Sequence, residues 1–376
     1  MNVLINFLYK EGAGPVFSLE MARGLADNGC NVYAIVSDKI SNKEEWENED
    51  KIKQVYFIDT GTRKNAISST VKFLLYKHKN ISEFFKNIKF DYVVQTFFHP
   101  WANRVSNQVD YKKLLTICHD PILHSGVKKF EIVQTQNFIK KSDEIIVLTE
   151  KFIEIVEDKY GFERKKIHFM PHGRMGDYKK NQNKSLDLRY DKNKLNFLFF
   201  GRIEEYKGLR VLAEAYKKLS EENENVTLTI AGSGDFSKYE EDFKDIRNVT
   251  IINRYIKDEE VGSFFDGSNV VTILPYLDAT QSGVIPIALE YNTPIIASDT
   301  GGIREQLNNG RIGILFNSGD STELYEKMKQ LIVNKEIISE EKKKMYGYLE
   351  CLEWKVVTKK LLESLKNNKG DYNIWI

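Results

Sequence analysis

The sequence predicts an α/β protein made of two doubly wound, Rossmann-like domains, and three observations carry that prediction. Short apolar runs alternate with longer helical stretches along most of the 376 residues, as successive βαβ units require. The alternation stops once, in the polar segment 173–194, GRMGDYKKNQNKSLDLRYDKNK. The length also exceeds a single domain of roughly 100–200 residues. Residues 1–175 are therefore expected to form one domain and 176–352 a second, with 353–376 as a C-terminal helix returning to the first.

In the first series the expected strands are Asn2–Tyr9, Asn31–Ser37, Gln54–Asp59, Asp91–Thr96, Leu114–His119, Glu144–Thr149 and Ile167–Met170. Helical patterning fills several gaps, as in Phe17–Asn28 and Phe130–Lys141. Runs such as VVQTF, LLTIC and EIIVL are nearly continuous in apolar residues, which suits strands covered on both faces of a parallel sheet. The second series gives Asn196–Phe200, Val226–Ala231, Val249–Asn253, Val270–Leu274, Pro294–Ser298 and Gly313–Phe316. In open α/β sheets ligands lie off the carboxyl ends of the strands, so two such domains are expected to share one cleft. The segment Ser339–Asn368 reads as wholly helical, with Trp354, Val357, Leu361 and Leu365 at helical spacing.

Composition excludes several classes. The formal net charge is +1, too little for a nucleic-acid-binding chain. Cys30, Cys118 and Cys351 are odd in number and form no CxxC pair, so they read as free, mostly buried thiols of a reducing compartment. The start, MNVLINFLYKEGAG, lacks a signal peptide's basic region, and no run of about 18 apolar residues is present. A cytoplasmic protein is expected, one able to sit peripherally on the inner face of the cytoplasmic membrane. The sequon Asn225-Val226-Thr227 carries no weight in that setting.

Three loops carry the chemistry. The first is Glu11-Gly12-Ala13-Gly14-Pro15, where glycines let backbone N–H groups approach an anion at a helix start; a ligand-free tight turn uses the same residues. It is not a dinucleotide fingerprint, because the third glycine of GxGxxG falls on Phe17. The second runs from Phe200 to Gly208. Here Arg202 and Lys207 stand five apart at the carboxyl end of a strand, Arg offering a bidentate fork and Lys a compact charge to a pyrophosphate. Surface charge at a helix start is the alternative. The third runs from Leu277 to Pro286, where Thr280, Gln281, Ser282, Gly283 and Val284 offer backbone and side-chain donors to a phosphate or simply cap the next helix.

With these segments in view the sequence resembles the family 4 retaining glycosyltransferases of GT-B fold. The resemblance covers essentially the whole chain and is strongest from Asn196 to Phe316. FFGRIEEYKGL, TIAGSGDF and TPIIASDTGGIREQLNNGRIGILF stand in the family's order and spacing, and ICHDP and MPHG match in the first half. It implies that Arg202 and Lys207 hold the donor pyrophosphate, with Gly201 and Gly232 nearby, and that Thr280–Val284 cover the donor phosphates. It implies that His119 is the cleft histidine beside the donor sugar and that Gly12 and Gly14 approach the sugar phosphate. Ile256 falls where the family's backbone meets the base. His99, Asp120 and His172 are then candidates for the acceptor side, whereas His78, His124 and His168 read as structural or surface residues. The implied substrate is a nucleotide-diphosphate sugar, with UDP the expected nucleotide, and no cofactor.

One departure is plain. The family commonly carries two glutamates eight residues apart, and aligned through Pro294 those positions are Ala279 and Ile287. A subgroup with a TQSG-type loop in place of the first glutamate is the better match. Glu290, one helical turn beyond Ile287, is a candidate to grip the ribose in place of the second; a solvated Glu290 is the alternative. No HExxH, no spaced His/Cys cluster and no Asp-x-Asp occurs, so no essential metal is expected. The resemblance implies retention of configuration, by same-face attack assisted by the leaving phosphate, with His119 positioning the sugar.

Residues 61–90 add a further expectation. Arg63, Lys64, Lys72, Lys77, Lys79, Lys86 and Lys89 interleave with Phe73, Leu74, Tyr76, Phe84, Phe85 and Phe90, which suits an anionic membrane surface or a merely solvated face. Members of the resembled family that build surface polysaccharides on lipid carriers often carry such a patch, so the resemblance implies a lipid-linked or glycan acceptor in surface polysaccharide or glycolipid assembly. The competing readings are a nucleotide-sugar epimerase of the same fold, for which no acid–base carboxylate set stands out, and a non-catalytic partner of an active transferase.

Overall fold

Apolar strands alternating with amphipathic helices pair in parallel, because each helix carries the chain back along the sheet. The computed structural model describes residues 1–61, 70, 73, 78–121, 129–175, 190–191, 193–265 and 269–367. The chain divides into two units, Met1–Gly173 with Leu352–Ile376, and Arg174–Cys351.

The first unit is built on β1 (Asn2–Phe7), β2 (Asn31–Ser37), β3 (Ile52–Ile58), β4 (Lys89–Gln95), β5 (Asp110–Cys118), β6 (Glu144–Val147) and β7 (Ile167–Phe169), in the order β3-β2-β1-β4-β5-β6-β7. Every pairing is parallel. The second is built on β8 (Leu195–Phe200), β9 (Val226–Gly232), β10 (Val249–Asn253), β11 (Val270–Leu274), β12 (Ile295–Asp299) and β13 (Ile314–Asn317), in the order β10-β9-β8-β11-β12-β13, again all parallel. Strand order reverses at β1/β4 in one sheet and at β8/β11 in the other. The loops leaving those strands therefore diverge, and each reversal opens a crevice at the carboxyl edge.

Helical periodicity explains how the sheets are covered. Helix Leu209–Glu222 buries Leu209, Leu212, Ala213, Tyr216 and Leu219 and leaves Arg210, Glu214, Lys217 and Lys218 exposed, one apolar stripe against the sheet. β5 begins earlier than its apolar run suggests, at Asp110. The alternating segment Asp110–Lys113 pairs with Lys89–Tyr92 before both strands enter the core.

The C-terminal region corrects the expectation of one continuous helix. Two helices are present, Glu336–Cys351 and Trp354–Asn367. Met345, Tyr348 and Leu349 are buried from the first of them, while Trp354, Val357, Leu361, Leu362 and Leu365 belong to the core around β1 and helix Ala13–Asp27. The break at Leu352-Glu353 coincides with the passage between units and carries no Gly or Pro that would mark it. Trp354 is the keystone of the returning helix. Its ring lies edge-on to Phe17 at 5.0 Å, and a Cβ on Gly173 would come within 2.4 Å of it. A buried polar chain fixes the same helix: Glu144 takes hydrogen bonds from Lys113 and from His168 Nε2 at 3.1 Å, and His168 Nδ1 lies 2.7 Å from Ser364 Oγ. His168 is structural, as expected.

Part of the basic, aromatic segment lies within the described residues. Phe73, Phe85 and Phe90 are core residues, with Phe73 stacked on Trp101 at 4.4 Å. Of the expected aromatic face only Phe84 is exposed among the described residues. Lys86 pairs with Glu83 and Lys89 with Asp110. Arg63, Lys64, Lys72, Leu74, Tyr76, Lys77 and His124, and most of the segment read as a linker, lie outside the described residues. Among the described residues no helix is long and apolar enough to cross a membrane.

Trp354→Ala should remove the filling of this core and cost about 3–5 kcal/mol. In urea unfolding the midpoint should fall accordingly; an unchanged midpoint would show that the returning helix does not hold the first unit together.

Candidate active site

In the second unit, two of the sequence motifs leave the strands at which the sheet order reverses. Gly201 and Arg202 follow β8, and the 277–283 loop follows β11. Arg202 is exposed, and its side chain makes no ion pair or hydrogen bond among the described residues. Lys207 ends a short 3₁₀ turn, Glu205–Lys207, and is only 8% exposed. Its ammonium lies 3.6 Å from the centroid of the Tyr276 ring and 5.1 Å from that of Tyr206. The negative faces of the rings favour a cation withdrawn from water.

Tyr276 links that cation to the third motif. It is fully buried, burial pushes its phenol pKa up, and its hydroxyl is 3.1 Å from Ser282 Oγ. Ser282 is occupied on every side: its N–H donates to Gln306 Oε1 at 2.7 Å, its carbonyl accepts from Gln306 Nε2 at 3.3 Å, and Val284 N–H donates to its Oγ at 3.3 Å. The expectation that the whole loop offers its amides is thus narrowed. Ser282 and Val284 shape the loop, and Thr280 is buried within it. Gly283 is exposed, with nothing within 4 Å of where a Cβ would stand. Gln281 holds a buried Nε2 with no hydrogen-bond partner, a donor awaiting an acceptor. The following helix, Val284–Glu290, has seven residues, all buried.

Glu290 is corrected outright. It is 3% exposed, and its two oxygens accept from Arg174 Nε and Nη2 at 2.9 Å each. A carboxylate engaged by a guanidinium fork is neither solvated nor free to grip a ribose. Arg174 gave no motif signal, because its partner is 116 residues away. Tyr276 and Gln306 were missed for the same reason. Gly232 closes β9, where a Cβ would fall 1.7 Å from the Gly201 carbonyl oxygen; only hydrogen fits. Ile256 is buried after β10, so its side chain belongs to the core.

In the first unit the structure gathers His119 and His172 against Phe17, with ring centroids at 5.4 and 5.0 Å. His119 follows β5 and stacks on Phe97 at 4.0 Å. Its Nε2 lies 2.8 Å from the Thr96 carbonyl. A carbonyl only accepts, so Nε2 carries the hydrogen and the neutral ring leaves Nδ1 as an acceptor. Burial holds its pKa below the usual value, against the opposing effects of the Thr96 hydrogen bond and Asp120. His172 donates from Nδ1 to the Gly173 carbonyl at 2.7 Å, and burial lowers its pKa to about 4. His99 accepts from Trp101 N–H at 3.2 Å, and burial, helped by Lys10, lowers it to about 4. Asp120 is half-buried next to His119 in the chain. Gly12 precedes helix Ala13–Asp27 at φ 84°, with open space around it. Gly14 instead packs on Phe7, where a Cβ would come within 2.8 Å of the ring. Among the described residues no group of three or more His, Cys, Asp or Glu could hold a metal ion.

Comparison with known proteins places this geometry. A family model described as "Glycosyltransferase Family 4" matches residues 15–174, and one described as "Glycosyl transferases group 1" matches residues 194–334. An uncharacterized glycosyltransferase of Methanocaldococcus jannaschii is 29% identical over 121 residues, a stretch covering 31% of this chain and only 30% of that relative's length. The structure of a glycosyltransferase from Rickettsia africae aligns with TM-score 0.68 at 17% identity, covering 97% of this chain and 99% of the other. That of Anabaena HepE in complex with UDP-glucose aligns with TM-score 0.68 at 14% identity, covering 96% and 99%. At such identities the structures speak to fold, and the fold is that of GT-B glycosyltransferases. Matched in both halves by glycosyltransferase models, the chain belongs to the family 4, group 1 glycosyltransferases.

Proposed function

We propose that the chain transfers a hexosyl group from a nucleotide-diphosphate sugar, with UDP as the nucleotide, to a hydroxyl of a glycan or lipid-linked acceptor. The observation that carries this reading is the pair at the carboxyl end of β8: Arg202 exposed and unpaired, and Lys207 held on the Tyr276 face and tied through Tyr276 to the 280–284 loop. HepE, a neighbour in fold, binds UDP-glucose. The TQSG-type loop and the absence of both family glutamates, at Ala279 and Ile287, support membership of the corresponding subgroup.

The chemistry follows from charge. As the bond between the sugar carbon and the β-phosphate oxygen breaks, negative charge grows on the leaving diphosphate. Arg202, Lys207 and the Gln281 amide would stabilise it by preorganised attraction, without a metal. The resemblance to family 4 implies a retaining reaction, and among the described residues no carboxylate pair stands out for a double displacement, so same-face attack is proposed: the acceptor oxygen attacks from the leaving-group face, and its proton passes to the departing phosphate oxygen. Neutral His119, an acceptor at Nδ1, would orient a sugar hydroxyl rather than donate a proton. The biological setting that fits is surface polysaccharide or glycolipid assembly.

Thermal melting against a panel of nucleotides, with and without EDTA, tests the donor site. A ligand at a hundred times its Kd adds about 2.7 kcal/mol. A shift with one nucleoside diphosphate, indifferent to EDTA and lost in Arg202→Ala, is expected; among the described residues the Arg202 side chain makes no ion pair or hydrogen bond whose loss would destabilise the fold. Transfer should fall about a hundredfold or more in that variant. No shift with any nucleotide would move the reading to a non-catalytic partner.

The histidines have their own check. His99 and His172 titrate at about 4 in the folded chain against an ordinary 6.5. The stability they contribute is complete above pH 6.5 and is lost as the pH falls towards 4, because the unfolded chain takes up protons first. Ring-proton NMR should show both midpoints near 4. Midpoints near 6.5 would contradict their burial as neutral rings.

A further inference from the structure

A cavity of about 560 Å³ lies in the first unit between the loop that follows β4 and helix Lys129–Lys140, and the donor chemistry above makes no use of it. Its apolar walls are aromatic: Phe73 stacked on Trp101 at 4.4 Å, and Phe98 edge-on to Phe138 at 5.3 Å. The volume is that of a small-molecule site with room for one or two sugar rings, whose apolar faces suit aromatic walls. The cavity adjoins His119 through the chain, since Phe97 stacks on that ring and the next two residues, Phe98 and His99, line the cavity.

Its polar lining has an unusual balance. Among the described residues no Asp or Glu lines it. Arg104 and Lys141 do, both exposed, and neither side chain makes an ion pair or hydrogen bond among the described residues. Asn103 has already committed its side-chain oxygen to Gln95 Nε2 at 3.0 Å, which leaves its amide hydrogens. His99 accepts through Nδ1, so its neutral ring offers Nε2–H. Two cations therefore stand beside His99 and the amides of Asn103, Gln134 and Asn137, with no carboxylate among the described residues to balance them. A neutral sugar can satisfy the amides but carries no charge to balance the two cations. An oxyanion satisfies them.

We propose that this cavity binds an anionic acceptor, a sugar carrying a phosphate ester or a carboxylate, with Arg104 and Lys141 on the charged group and the aromatic walls on the ring. The proposal rests on the transferase reading for the word acceptor, and on the cavity alone for the anion. Titration calorimetry of the full chain, with UDP in excess to fill the donor site, would use three probes: glucose 1-phosphate, glucuronate and methyl glucoside. At least one anionic sugar should bind saturably, about tenfold or more tighter than the neutral glycoside. Arg104→Ala/Lys141→Ala should weaken it by about tenfold or more while leaving the UDP melting shift intact, which shows the variant is folded. Binding of glucose 1-phosphate alone assigns the phosphate ester, and of glucuronate alone the carboxylate. The proposal is overturned if neither anion binds, if the neutral glycoside binds as tightly, or if the double variant binds unchanged. A chain that ignores UDP but binds an anionic sugar through Arg104 and Lys141 would sink the transferase reading and keep the site.

Discussion

Lys207 is a cation in a place where an ammonium is costly, 8% exposed at the end of the 3₁₀ turn Glu205–Lys207, and the ring face of Tyr276 at 3.6 Å compensates for water it has lost. The arrangement constrains much of the second unit. Tyr276 must stay buried to present its face, and its hydroxyl then needs a partner, which is Ser282. Ser282 in turn is fixed by the Gln306 amide from both sides. The loops after β8 and β11 and the short helix Ile303–Gln306 are thereby one polar chain, with a buried positive charge at one end and the 280–284 loop at the other. The unpartnered Arg202 lies beyond that chain, and its exposure is what makes it available to a ligand.

The first unit uses burial differently. Its site histidines are kept neutral by loss of water, and each has one nitrogen committed: His119 and His172 to backbone carbonyls, His99 to a backbone N–H. Commitment of one nitrogen fixes what the other can do. His119 and His172 are left as acceptors and His99 as a donor. Rings held in this way can orient a hydroxyl, by accepting from it at His119 and His172 or by donating to it at His99.

The architecture was legible because it rests on local signals. Apolar strands at regular spacing and one polar interruption are read directly from the chain, and Arg202 and Lys207 were found because the loop after β8 is continuous in sequence. What was missed is non-local. The bidentate hold of Arg174 on Glu290 spans 116 residues, and an alignment of Glu290 one turn from Ile287 said nothing about which way the carboxylate points. Phe73, Phe85 and Phe90 are core residues, and composition alone does not distinguish a buried aromatic residue from an exposed one. The helix break at Leu352-Glu353 had no Gly or Pro to announce it.

The central claim is that Arg202 and Lys207 assist the departure of a nucleoside diphosphate. It is tested most directly by ³¹P NMR of UDP-glucose and other nucleotide-sugars incubated with the chain and with Lys207→Met. The account predicts slow release of the free nucleoside diphosphate from one donor, even to water, and its near-complete loss in the variant. Release at the same rate from both proteins, or none from any donor that demonstrably binds, would contradict it.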